Sequence, residues 1–141
     1  MSVEENKAIV RRLWEEFNKR NLSVWDELCA ADLVWHAPGG LEQHDLEAMK
    51  KVVTRFLTTF PDFRVTIEDM VAEGDKVASR STRTGTHKGE YRGIAATGNK
   101  VTWAFISIYR IEGGKIVEEW DEGDHLSMMQ QMGVIPTPGQ G

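Results

Sequence analysis

Residues 101–111 alternate without a break: Val101, Trp103, Phe105, Ser107, Tyr109 and Ile111 on one side, Thr102, Ala104, Ile106, Ile108 and Arg110 on the other. A period of two puts successive side chains on opposite faces of a strand, and no helix presents it. Because apolar residues occupy much of both sides, this strand is expected near the centre of a sheet. Any fold for the chain has to be built around it.

The segments beside it pair with it. Phe63, Val65 and Ile67 alternate with Arg64, Thr66 and Glu68, and Glu73-Gly74-Asp75-Lys76 supplies turn chemistry before a second arm at 77–86. Glu112-Gly113-Gly114-Lys115 is a tight turn into a further strand at 116–121, whereas 87–99 is glycine-rich and without pattern.

The N-terminal half has the helical period instead. Ile9, Val10, Leu13, Trp14 and Phe17 recur at three- and four-residue spacing along one stripe, and Ser23 can start a short second helix carrying Trp25, Leu28 and Cys29. Residues 33–37 read as a short strand ending at Pro38-Gly39-Gly40. Asp45 is placed to cap a third helix, in which Leu46, Met49, Val52, Val53, Phe56, Leu57 and Phe60 repeat up to Pro61. Leu126, Met128, Met129 and Met132 suggest a last short helix before a Pro/Gly tail. Helices followed by long antiparallel strands predict an α+β fold, a cone-shaped curved antiparallel sheet packed against the N-terminal helices and enclosing an apolar pocket.

Composition narrows the function. A chain of 141 residues fits one domain, 1–141. A net charge of −5 with scattered Lys and Arg leaves no basic stripe for nucleic acid. No run approaches the ~18 apolar residues of a membrane span, and the acidic start at Ser2-Val3-Glu4-Glu5 is unlike a secretory signal, so no membrane partner and a cytoplasmic location are expected. Cys29 is the one cysteine, which excludes an intrachain disulfide. His36, His44, His87 and His125 form no metal-binding spacing, so neither a metal nor a cofactor is expected. An open sheet face with alternating apolar residues predicts a homodimer.

Several segments together carry a family resemblance: Phe60-Pro61-Asp62-Phe63-Arg64-Val65-Thr66-Ile67-Glu68-Asp69, Glu73-Gly74-Asp75-Lys76-Val77-Ala78, Thr84-Gly85-Thr86-His87-Lys88-Gly89-Glu90, Thr97-Gly98, and Gly113-Gly114-Lys115-Ile116-Val117-Glu118-Glu119-Trp120 followed by Asp124. They resemble the SnoaL-like polyketide and ester cyclases of the nuclear transport factor 2-like fold. The resemblance covers essentially the whole chain. It departs at Ala95-Ala96, where the family has paired prolines before Thr-Gly. It implies a small apolar organic substrate, no metal or cofactor, and ring closure by intramolecular aldol condensation. It also implies a general acid/base at Asp124 and a pocket-lining polar residue at His87.

The residues admit that chemistry. A carboxylate walled by apolar groups loses hydration and becomes an acid or base useful near neutral pH. Trp14, Phe17, Trp35, Trp103 and Trp120 are the expected wall, with His36 at a strand end able to close it. Asp124 is equally able to cap the last helix, and Asp121 is its rival, since a bulge at Gly123 would reverse which side of the strand faces inward. Arg80 and Arg83 lie on a middle strand, where each must face solvent or find a carboxylate such as Glu118 or Glu119; pointing inward they favour an anionic substrate. Two readings compete with a cyclase or isomerase. One is an epoxide hydrolase-like enzyme using Asp124, Arg80 and Tyr109, and the other is a binding or dimerisation domain without catalysis.

Overall fold

The structure, a computed structural model, describes residues 2–39 and 43–135. Gly40, in the loop expected after the first strand, and the Pro/Gly tail at 136–141 lie outside the described residues.

Helix α1 is Val3–Asn18. The Ser2 hydroxyl accepts from the Glu5 N–H at 3.1 Å while the Glu5 carboxylate accepts from the Ser2 N–H at 3.4 Å, a reciprocal pair that satisfies two otherwise free donors. Val10, Leu13, Trp14 and Phe17 are its buried stripe. The far end is tied to the sheet: the Asn18 amide donates to the Val65 carbonyl at 2.7 Å and accepts from the Val65 N–H at 3.0 Å.

Helix α2, Val24–Leu28, runs directly into strand β1, Cys29–His36. That strand starts earlier than 33–37. Cys29, expected on the helix, is its first residue, and burial pushes its thiol far up, so it is inert packing. After β2, Gln43–His44, comes α3, Leu46–Thr59, where the Asp45 carboxylate caps by accepting from the Ala48 N–H at 2.9 Å. Then follow β3 (Arg64–Glu73), β4 (Lys76–Thr86), β5 (Lys100–Glu112), β6 (Lys115–Gly123) and α4 (His125–Gln131).

The strands form one sheet in the order β2-β1-β6-β5-β4-β3. All neighbours are antiparallel except β1 and β6, which run parallel, so the sheet is mixed rather than antiparallel throughout. β5 lies between β4 and β6 as its alternation predicts, with Val101, Trp103, Phe105, Ser107, Tyr109 and Ile111 buried under the helices. Its other face is open: Ile106 is 54% and Ile108 39% exposed.

One irregularity decides which residues of β6 face the core. Arg110 pairs with Glu118, yet the next residue, Ile111, pairs with Ile116, leaving Val117 as an extra residue. The alternation is reset there. Ile116, Glu119 and Asp121 are buried, and Glu118, Trp120 and Glu122 point to the outer face.

Candidate active site

The inward residues of β4, β5 and β6 meet α1 and α3 around a cavity of about 60 Å³. Trp14, Phe17, Trp25, Phe56, Phe63 and Phe105 supply much of its wall, and Arg83, Glu119, Asp121 and His125 are its titratable groups.

Charge in such a wall is tolerated only where it is paired or bonded. Trp35 supplies one bond, its indole N–H donating to Asp121 Oδ2 at 2.8 Å. Trp35 is also the β1 partner of Glu119 across the parallel pairing, so one strand braces both acids. Arg83 lies over aromatic faces, its guanidinium carbon 3.4 Å from the Phe105 ring centroid and 5.1 Å from that of Trp14. That attraction replaces part of its lost hydration. Asp121 Oδ1, Glu119 Oε1 and Arg83 Nε are buried and find no hydrogen-bond partner in the described protein.

Glu119 is the most perturbed acid. Burial, reinforced by the charge of Asp121 and a hydrogen bond with it, holds its carboxyl well above the ordinary carboxylate range, and the opposing pull of Arg83 does not undo this. Glu119 is therefore the acid whose protonated form this environment favours. Tyr109, buried beside this pair, accepts from the Trp14 indole N–H at 2.9 Å; burial and the charge of Glu119 push its phenol up, so it stays protonated and orients Trp14. His125 meets Phe105 edge-on, and burial, then the charges of Arg83 and Arg92, lower its proton affinity.

A second, wider chamber of about 590 Å³ opens beside the first and shares Trp35, Val52, Phe56 and His125 with it. The inner cavity has room for a small group but for no ring system. The outer one falls within the roughly 300–1,000 Å³ of small-molecule sites.

Of the expected residues, Asp121, Trp14, Phe17 and Trp35 line the inner cavity. Asp124 does not. It is exposed at the start of α4, where its carboxylate accepts from the Ser127 N–H at 3.0 Å, so its position is that of a helix cap. His87 is fully buried behind Phe60, its Nδ1 2.9 Å from Thr97 Oγ1; backbone bonds from His87 N–H to the Asn99 carbonyl and from Gly98 N–H to the His87 carbonyl close the loop around it. His36 and Trp120 are corrected to the outer face, where their rings stack at 5.1 Å and His36 Nε2 lies 2.7 Å from Glu118 Oε2. Leu33 and Trp35 turn inward on β1, so its alternation sends His36 outward. Trp103 is buried among Phe56, Phe60 and Phe63, behind the wall rather than on it. Arg80 faces outward and pairs with Asp69 at 3.0 Å. Glu119, Trp25, Phe105 and His125 were not anticipated as site residues. Simple alternation from Ile116 points Glu118 inward instead of Glu119, and only the bulge reverses it.

Helices on one face of a six-stranded sheet, packed over two buried acids and an arginine, define a small α+β protein with an aromatic-walled pocket that holds ionisable groups. The family model of the SnoaL-like polyketide cyclases matches residues 8–132, and the chain belongs to that family. Among solved structures it is similar to IdmH, a candidate polyketide cyclase of Streptomyces antibioticus, at 33% identity and TM-score 0.83 over 92% of this chain and 99% of that one. It is similar also to AclR, a candidate hydroxylase of Streptomyces galilaeus, at 30% identity and TM-score 0.89 over 96% and 85%. TsrD of Streptomyces laurentii matches at 27% identity and TM-score 0.83 over 96% and 99%. No curated protein matches the chain by sequence. No helix among the described residues is long and apolar enough to cross a membrane.

Proposed function

We propose that the chain is one domain and a cofactor-free acid/base enzyme acting on a small carbonyl or polyketide-like substrate, of cyclase or isomerase type. The observation that carries this reading is the buried Glu119–Asp121 pair beside Arg83 in an aromatic-walled cavity. Asp121 takes the place that the family resemblance implied for Asp124. Its carboxylate removes a proton from the carbon next to a carbonyl, and the electron pair moves to the carbonyl oxygen, where the free Arg83 N–H stabilises the enolate. The enolate carbon bonds to a second carbonyl carbon, and Glu119 donates its proton to the oxygen that becomes the alcohol. The proton on Asp121 returns to Glu119 through their shared hydrogen bond, so atoms and charge balance with no added reagent.

Proton removal can be read without the natural substrate. In D2O, the wild type is expected to accelerate deuterium entry beside the carbonyl of 2-tetralone, a flat bicyclic ketone, as followed by NMR. Asp121→Asn loses that acceleration by roughly 10²–10⁴-fold, the usual worth of a positioned base, while Asp124→Asn keeps it. The opposite ranking would return the role to Asp124 and end this assignment.

A hydrolytic reading has one observation in its favour: three buried polar atoms without protein partners face a cavity the size of a few waters. With Arg80 turned outward, it would use Arg83 and Asp121. Incorporation of 18O from labelled water into product distinguishes it, since ring closure takes up none.

The outer sheet face supports a homodimer. Ile106 and Ile108 are exposed there beside the half-buried Trp120, as one apolar surface. Sedimentation is expected to give a dimer and Ile108→Asp a monomer; a wild-type monomer at all concentrations rejects it.

A further inference from the structure

The wider chamber has a charge pattern that acid/base chemistry alone does not require. Lys51, Arg55 and Arg92 line it, together with His44 and His125, and no Asp or Glu is in its described wall. The chain as a whole carries −5, so a wall with cations and no acids among its described residues runs against the average of the molecule. Nor are Lys51, Arg55 and Arg92 neutralised by a described carboxylate. Lys50, one residue away, is paired with both Asp26 and Glu47, and Arg110 with Glu112 and Glu118. Lys51, Arg55 and Arg92 pair with no carboxylate among the described residues.

Their placement is convergent. Lys51 and Arg55 are one turn apart on α3 and so share a side of the helix. Arg92 approaches from the 87–99 loop, in a tight turn closed by bonds in both directions between Tyr91 and Ile94. Its φ of 47° is the left-handed region, which costs an arginine energy that a glycine would not incur. Its guanidinium rests 5.5 Å over the ring of Tyr91, itself part of the wall. The field of Arg92 reaches His125, which lines both chambers, and helps to depress its proton affinity.

We infer that the substrate is an organic anion: a flat aromatic body whose ionised carboxylate is held by Lys51, Arg55 and Arg92 in the outer chamber while its carbonyl end reaches Glu119 and Asp121. The inference rests on the proposed acid/base site for the inner end only. Guanidinium groups suit this recognition because their fixed fork matches a planar carboxylate. The anion also keeps its charge away from the acid pair, which lines the inner cavity and not the outer chamber.

The test uses a matched pair, anthraquinone-2-carboxylate and its methyl ester, titrated into the intact protein and followed by quenching of tryptophan fluorescence. The carboxylate is expected to bind about tenfold more tightly, as several partly exposed ion pairs would give together. The preference shrinks in 1 M NaCl, where screening is short-ranged and apolar stacking is strengthened instead. It is lost in the double variant Arg55→Gln/Arg92→Gln, and reduced in Arg92→Gly, which relieves the left-handed backbone and so separates loss of charge from loss of folding. Asp121→Asn keeps the preference while losing deuterium exchange, so failure of the catalytic reading and failure of this one are told apart. Equal binding of the two probes, binding of neither, or a preference that survives in the double variant overturns the inference.

Discussion

Asp121 and Asp124 are close in sequence and opposite in environment. Asp124 satisfies the Ser127 N–H at the start of α4, so Asp124→Ala is expected to cost about 1 kcal/mol and to lower the melting temperature by roughly 2–4 °C. The acid pair is untouched by this change. Thermal unfolding together with the 2-tetralone assay reads both effects, and a variant of normal stability without exchange would contradict the cap assignment. The two aspartates also differ in how legible they were. Capping depends on residues a few positions away, so the helix-cap alternative for Asp124 was visible in the sequence. The inward orientation of Asp121 depends on an extra residue at Val117, defined only against β5, and nothing local marks it. Arg83 was legible as a problem, a charge on a middle strand, but its solution over Phe105 and Trp14 needs three elements brought together. His87, which has Gly85 and Gly89 on either side, read as a pocket-lining residue through the family resemblance. One of these glycines is required by the chain itself, since a Cβ on Gly89 would lie 2.1 Å from the Thr58 carbonyl oxygen.

At the scale of elements, β6 positions the site through its last residue as well as its bulge. A Cβ on Gly123 would lie 2.4 Å from Cδ2 and 2.7 Å from Cε2 of Phe105, the ring beneath Arg83. Gly123→Ala must therefore tilt Phe105 and carry the guanidinium with it. The expected cost is about 1–3 kcal/mol of stability from overpacking and a roughly ten- to hundredfold loss of exchange activity, although no acid has been altered. Activity measured below the variant's unfolding transition decides this. Full activity there would mean that Arg83 does not need its aromatic seat. Helices and hairpins were readable because caps, turns and periods are local: Asp45 caps α3, and the alternation of β5 holds over its whole length. The parallel pairing of β1 with β6 was not readable, because it joins segments separated by most of the chain. The outward turn of His36 and Trp120 follows from that same pairing and the bulge opposite it.

For the whole molecule, the raised proton affinity of Glu119 links the proposed chemistry to stability. Its folded pKa is raised above the ordinary 4.5, so the folded protein retains a proton that the unfolded chain releases. The associated stability is fully present below about pH 4.5 and is lost as pH rises through the folded value. His125 acts in the opposite sense: its folded proton affinity is lowered from 6.5, so its contribution is present above that value and falls as pH drops. The raw pH profile of the wild type mixes the two. The difference between wild type and Glu119→Gln removes the His125 part and isolates the acid, because glutamine imitates the neutral carboxyl and does not ionise. Relative to wild type, Glu119→Gln is expected to gain stability as pH rises above about 4.5 and until the folded value is passed, as read from melting temperatures across the pH range. A difference that stays constant with pH would mean that Glu119 ionises as freely in the fold as in the unfolded chain. The proton-sharing pair, and with it the donor proposed for the second carbonyl, would then have to be given up.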